Sequence, residues 1–164
     1  MPQVTYPQVN SIITRSGELF IPDVIEDAIL NSIVNDLAIV RKTGDALKQL
    51  FSPKNHAVTI NYDSSAVIDA YSLYYMRRNT LIPRIAIRDI VMNRSLQAFP
   101  NELKVLDIGS GTGAVVIGLL EMFLHPPFNK INIHVNAVDA SQACLDRLRH
   151  HLKEAGLSKL LSTR

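Results

Sequence analysis

The chain has 164 residues, room for one ordinary domain or for a small domain and a piece of another. Hydrophobic residues make up 47% and charged residues 20%, the profile of a globular protein and not of a disordered one. Lys and Arg number 17 against 15 Asp and Glu; the resulting charge of +2 is too small to argue by itself for a nucleic-acid partner.

Cys144 is the only cysteine, so an intramolecular disulfide is excluded, and no His/Cys spacing suits a structural zinc. Met1 to Tyr6 has no basic segment leading into an apolar run, so it does not read as a signal peptide. The apolar stretch Ala114 to Leu124 is interrupted by Gly118 and Glu121 and falls short of the roughly 20 residues a bilayer span takes. These features lead us to expect a cytoplasmic protein with no membrane contact and no metal.

In chain order, residues 1–22 carry scattered Pro, Gly, Ser and Asn and read as an irregular lead-in. Pro22 then opens a helix over Asp23 to Arg41, where Val24, Ile25, Ala28, Ile29, Ile33, Leu37 and Val40 recur at helical spacing. Gly44 punctuates it, and Asp45 to Phe51 forms a short second helix. Ser52 to His56 is a turn, and Ala57 to Tyr62 a short strand. Asp63, Ser64 or Ser65 caps a further helix to about Asn79. Pro83 opens another that runs to about Phe99, closed by Pro100 and Asn101. This mostly helical region, 1–100, contains no internal repeat.

The pattern changes at Lys104. Val105 to Ile108 is a short strand of the buried type, running into Gly109–Ser110–Gly111–Thr112–Gly113 and then an apolar helix from Ala114 to about Leu124. A loop through His125–Pro126–Pro127 precedes a second strand, Ile131 to Val138. Asp139–Ala140–Ser141 turns into a second helix from Gln142 to about Ala155. Strand, helix, strand, helix is the start of a parallel α/β sheet. In the second strand, Ile131, Ile133, Val135 and Ala137 alternate with Asn132, His134 and Asn136, a half-buried pattern.

Three alternating glycines at the end of a strand let backbone approach a ligand closely, because no Cβ intervenes and positive φ costs little. Asp139, at the end of the second strand, is placed to accept hydrogen bonds from ribose hydroxyls and is poorly suited to a 2′-phosphate. Asp107 separates the candidate ligands. A carboxylate beside the loop repels the pyrophosphate of a dinucleotide and suits a ligand that carries an ammonium and a sulfonium.

VLDIGSGTGA, at Val105 to Ala114, resembles motif I of the class I methyltransferases that depend on S-adenosyl-L-methionine (SAM). VNAVDAS, at Val135 to Ser141, is similar to the segment that follows it in that family, and CLDRLRHHLKEAGL to the family's second helix. The resemblance covers about the last 60 residues and implies a Rossmann-like sheet in 101–164. The implied cofactor site is Asp107, Gly109, Ser110, Gly111, Thr112, Gly113, Asp139, Ala140 and Ser141. Asp139 lies further from Gly109 than the roughly 20 positions of a dinucleotide-type fingerprint; the first helix and the loop His125 to Lys130 absorb the excess. A family domain has about seven strands, so the resemblance also implies an incomplete Rossmann-like parallel sheet. It further implies the cofactor-binding part of a transferase, without its substrate half and with an unpaired sheet edge open to self-association. No catalytic base is assigned.

Gly109, Gly111 and Ala114 also satisfy the dinucleotide pattern, which keeps an NAD-linked oxidoreductase fragment as an alternative. A non-catalytic SAM-binding module or helical adaptor is the other. The order of helices then motif loosely resembles the methyltransferase-like family associated with small-subunit ribosome assembly, which implies RNA or the ribosome as methyl acceptor.

Other features have plainer readings. Tyr71, Tyr74, Tyr75, Arg77, Arg78 and Asn79 fit an amphipathic helix with snorkelling arginines, with a cofactor lid or a nucleic-acid contact as the functional alternatives. His150 and His151 fit a solvated helix face, Cys144 a small core residue, and His125–Pro126–Pro127–Phe128 a loop.

Overall fold

The computed structural model describes residues 5–50, 60–93 and 98–160. From Thr5 onward the lead-in forms regular elements. Helix α1 (Tyr6–Ile13) follows a Thr5 whose backbone N–H donates to Gln8 Oε1 at 3.0 Å. A hairpin of β1 (Thr14–Arg15) and β2 (Glu18–Leu19) comes next, turned by Ser16 and Gly17 with φ of 53° and 84°. Two consecutive residues at positive φ match the right-handed twist of a tight hairpin, a signal that Ser-Gly carries and the irregular reading passed over.

The expected helix over Asp23 to Arg41 is two. Helix α2 (Asp23–Asn31) stops, and α3 (Leu37–Leu50) starts after a five-residue break. A distant carboxylate holds the break: Asp69 Oδ2 accepts from the amides of Val34 and Asn35 at 3.1 and 2.9 Å and from Asn35 Nδ2 at 2.7 Å. Asp36 Oδ1 then accepts from the amide of Ala38 and opens α3. Gly44 does not end a helix but sits inside α3, because a Cβ there would fall 2.3 Å from the Tyr74 ring.

Of the strand expected at Ala57 to Tyr62, residues 57–59 lie outside the described residues, as does the turn at 52–56; 60–62 are irregular. Helix α4 (Ser65–Tyr71) runs through a π-turn (Ser72–Met76) into α5 (Arg77–Asn79), and after Thr80 comes α6 (Leu81–Met92). Pro83 falls in the first turn of α6, where its missing N–H has no intrahelical partner to lose. The helix ends at Met92, not at about Phe99. Phe99 instead packs edge-on against Phe128 and Phe123, with centroids 5.1 and 6.5 Å away.

Strand β3 (Glu102–Ile108), helix α7 (Ala114–Met122), strand β4 (Asn132–Val138) and helix α8 (Gln142–Glu154) follow. The strands pair in parallel from Glu102 opposite Asn132 to Ile108 opposite Val138. The molecule is thus a mixed α/β structure with a small parallel sheet. Leu103 and Val105 join Ile133 and Val135 on the face packed against the main core. The other face is open: Leu106, Ile108 and Val138 are 62%, 77% and 51% exposed. So β3, read as buried on both faces, is covered on one.

That core is shared along the chain. Val9, Ile13, Ile25 and Ile29 of the first helices pack in one cluster with Val116, Ile117 and Leu120 of α7 and with Leu152 and Leu157. Each such side chain contributes roughly 1.5–3 kcal/mol on burial. Gly118 lets α7 pass Thr80 closely, since a Cβ there would stand 2.3 Å from the Thr80 carbonyl oxygen. At the far end of α7, Glu121 forms a buried ion pair with Arg84 and takes His125 Nε2 at 2.9 Å on its other oxygen. Among the described residues no helix is long and apolar enough to cross a membrane.

Candidate functional site

The loop between β3 and α7 has φ of 74°, 51° and 92° at Gly109, Gly111 and Gly113, a region that side chains avoid. The three serve different ends. Among the described residues a Cβ at Gly109 would meet nothing within 4 Å, and one at Gly111 only Tyr71 Cε1 at 3.8 Å, so these residues leave the space before both open. A Cβ at Gly113 would lie 2.0 Å from Leu148 Cδ1; that glycine seats α8 against the start of α7.

Ser110 fastens the loop to both strands. Its hydroxyl donates to the Asp107 carbonyl at 2.8 Å and accepts from the Val138 amide at 3.0 Å, while the Gly109 amide donates to the Val138 carbonyl at 2.8 Å. Thr112 is buried, with its hydroxyl on Met76 Sδ at 3.5 Å. The side chains of Ser110 and Thr112 therefore serve the loop's own anchorage.

Gly109, Gly111, Asp139 and Ala140 come together with Tyr62, Tyr71 and Cys144 around a cleft of about 360 Å³, within the size range of small-molecule sites. Asp107, Ser110, Thr112, Gly113 and Ser141 are not among its lining residues and support it from behind or beside. Cys144 is buried as expected, yet it lines the cleft.

Asp139 is engaged on both oxygens: Oδ2 accepts from the Gly111 amide at 2.7 Å and Oδ1 from the Ser141 amide at 2.8 Å. A carboxylate has about four acceptor positions, so each oxygen keeps capacity for another donor. Ser141 caps α8, accepting from the Cys144 amide at 3.1 Å, as one reading of the sequence allowed. Its hydroxyl donates to Asp63 Oδ1 at 2.7 Å, which pins residues 61–64 beside the cleft.

Asp107 is different. Its Oδ2 is buried and has no hydrogen-bond partner among the described residues. Burial pushes this carboxyl above the usual carboxylate range; the Ser110 hydroxyl opposes the shift and the charge of Asp139 adds to it. An ionised oxygen so placed calls for a donor, and a cationic one satisfies it best.

The tyrosine and arginine cluster divides. Tyr71 lines the cleft, its ring stacked on Tyr75 at 5.5 Å and edge-on to Tyr62 at 6.1 Å. Tyr74 packs against Gly44 instead, with Lys48 Nζ 4.9 Å from its ring centroid. Arg77 pairs with Glu26 at 2.5 Å, and Arg78 is exposed. Tyr62 was not singled out from the sequence; nothing local marks a lone tyrosine in a turn.

His151 corrects another expectation. It is fully buried and not on a solvated face; His150 is exposed. Nδ1 lies 2.9 Å from the Thr112 carbonyl and Nε2 2.8 Å from Ser32 Oγ, and burial pulls the imidazole down to about 4. Beside it Arg147 bonds Asp69 at 2.7 Å and Ser32 at 3.2 Å. The helical spacing of Cys144, Leu148, His151, Leu152 and Ala155 was the signal for this placement.

Compared with protein-family models, curated proteins and solved structures, the chain matches none of them. Among the described residues no group of His, Cys, Asp and Glu could hold a metal ion.

Proposed function

We propose that the cleft binds S-adenosyl-L-methionine and that the chain is the cofactor-binding portion of a Rossmann-like methyltransferase of class I. The observation that carries this reading is the buried, unpartnered oxygen of Asp107 beside an open glycine loop. The residues present fit such a ligand. Asp107 would take its ammonium, Gly109 and Gly111 would admit it to the backbone, and Asp139 would accept from the ribose hydroxyls with its remaining lone pairs. When bound, the cofactor supplies an electrophilic methyl group on a sulfonium. The chain's own residues then act by alignment: the loop is held by Ser110, Gly113 and the Thr112–His151 bond before any ligand arrives.

Asp139 at the cleft, with Asp107 buried behind the glycine loop, disfavours the diphosphate of NAD. The methyl acceptor follows only from the loose resemblance given above, which makes RNA or the ribosome our proposal, in the cytoplasm. The outer edges of β3 and β4 pair with no strand among the described residues, which supports self-association through a sheet edge.

Calorimetry tests the assignment. We expect SAM and S-adenosylhomocysteine to bind and NADH not to. Binding of NADH alone would reverse the reading in favour of an oxidoreductase fragment. Cofactor binding by a longer, active form of the chain would remove the non-catalytic adaptor.

A further inference from the structure

We infer that Tyr71, stacked on Tyr75 and framed by Tyr62, is the platform on which the base of the bound nucleoside lies, so that the helical region supplies one wall of the cofactor cleft. The inference rests on the reading of the cleft as a SAM site and names the residues that would recognise its planar end.

A flat heteroaromatic ring is held best by another π face. The glycines offer only backbone, Asp139 a charge, and Ala140 and Cys144 small side chains. Tyr62 and Tyr71 are the lining residues with an aromatic ring, and they share the cleft with Asp139. A ribose held at Asp139 therefore carries its base past residues of this wall.

The wall is built before a ligand arrives. Tyr71 closes α4 and is followed at once by the π-turn Ser72–Met76. Such turns add a residue to the helical repeat and occur often at binding sites. Here the turn keeps Tyr71 and Tyr75 stacked, while Tyr74 packs on Gly44 and Met76 meets the Thr112 hydroxyl. Tyr62 is fixed from the other side, its carbonyl 3.7 Å from Cys144 Sγ and its neighbour Asp63 bonded to Ser141. Rings already locked in place lose little freedom on binding.

The protein has five tyrosines and no tryptophan, and three of the five, Tyr62, Tyr71 and Tyr75, belong to this wall, so tyrosine emission reports on it in large part. We expect adenosine and S-adenosylhomocysteine to quench tyrosine emission saturably and L-methionine not to. Tyr71→Leu should lose about tenfold or more in affinity for both nucleosides. Tyr71→Phe should keep affinity within about threefold and lose part of the quench, because the platform survives and its emitter does not. Tyr74→Phe should change neither. Should Tyr71→Leu fail to fold by circular dichroism, the Tyr71→Phe amplitude decides, and an unchanged quench overturns the inference. Equal affinities in the parent and Tyr71→Leu overturn it while leaving the cofactor assignment standing. Quenching by L-methionine in place of adenosine overturns it as well, and a parent that binds no nucleoside overturns both readings.

Discussion

His151 Nδ1 lies 2.9 Å from the carbonyl oxygen of Thr112, so the middle of the glycine loop is bonded from behind to the last turn of α8. In the neutral imidazole Nδ1–H donates to that carbonyl, and Nε2 lies 2.8 Å from Ser32 Oγ. One buried side chain thereby joins the loop, α8 and the end of α2.

This bond predicts acid sensitivity. Burial holds His151 at about 4 in the fold, against an ordinary value of 6.5. Between those pH values the unfolded chain binds a proton that the folded chain refuses, so stability falls as the pH drops through the window and is lost below it. The difference amounts to about 3 kcal/mol. Urea midpoints measured from pH 7.5 to 4 should fall accordingly, and His151→Gln, less stable at pH 7.5, should flatten the slope. Parallel profiles for the two proteins would contradict this.

The glycines predict a separation of folding from binding. Gly113→Ala puts a Cβ 2.0 Å from Leu148 at a φ of 92° and should destabilise the fold by about 2–4 kcal/mol. Gly109→Ala adds a methyl where none of the described residues stands within 4 Å, so the backbone strain of about 1–2 kcal/mol applies. Its larger effect should be on ligand affinity, since the methyl enters the open space. Denaturation curves and calorimetry on both variants read the two effects apart.

The ion pair at the other end of α7 predicts a third outcome. Arg84 is fully buried between Glu121 and the Ile12 carbonyl, which its Nη2 reaches at 2.7 Å. Glu121→Leu strands the guanidinium and should cost about 3–5 kcal/mol, whereas Arg84→Met with Glu121→Leu should recover most of that loss. Thermal unfolding of the single and double variants checks it, and additive losses would contradict it.

These relationships explain what could be seen in the sequence. From β3 to α8 the elements come in the order that strand patterning and the Gly109–Gly113 spacing put them, because those signals are local, although β3 begins at Glu102 and not at Val105. The break at residues 32–36 is held by Asp69 and the helical state of Gly44 by contact with Tyr74, partners far away in sequence. The exposure of Leu106 and Ile108 depends on which face of the sheet other elements cover, which an apolar run does not encode. At the site, the positive-φ glycines and the meeting of Gly109 and Gly111 with Asp139 were legible. The burial of His151 had a local signal in its helical spacing with Cys144, Leu148 and Leu152, whereas the arrival of Tyr62 and Tyr71 at the cleft comes from packing between elements.

In the proposed reading the buried oxygen of Asp107 takes a cationic group. Asp107→Asn removes the charge and keeps the shape, so titrating S-adenosylhomocysteine into the parent and this variant tests it most directly. Loss of one charge-assisted hydrogen bond predicts roughly a 10- to 100-fold weaker affinity in the variant with stability unchanged or raised. Equal affinity in the two proteins would contradict the account.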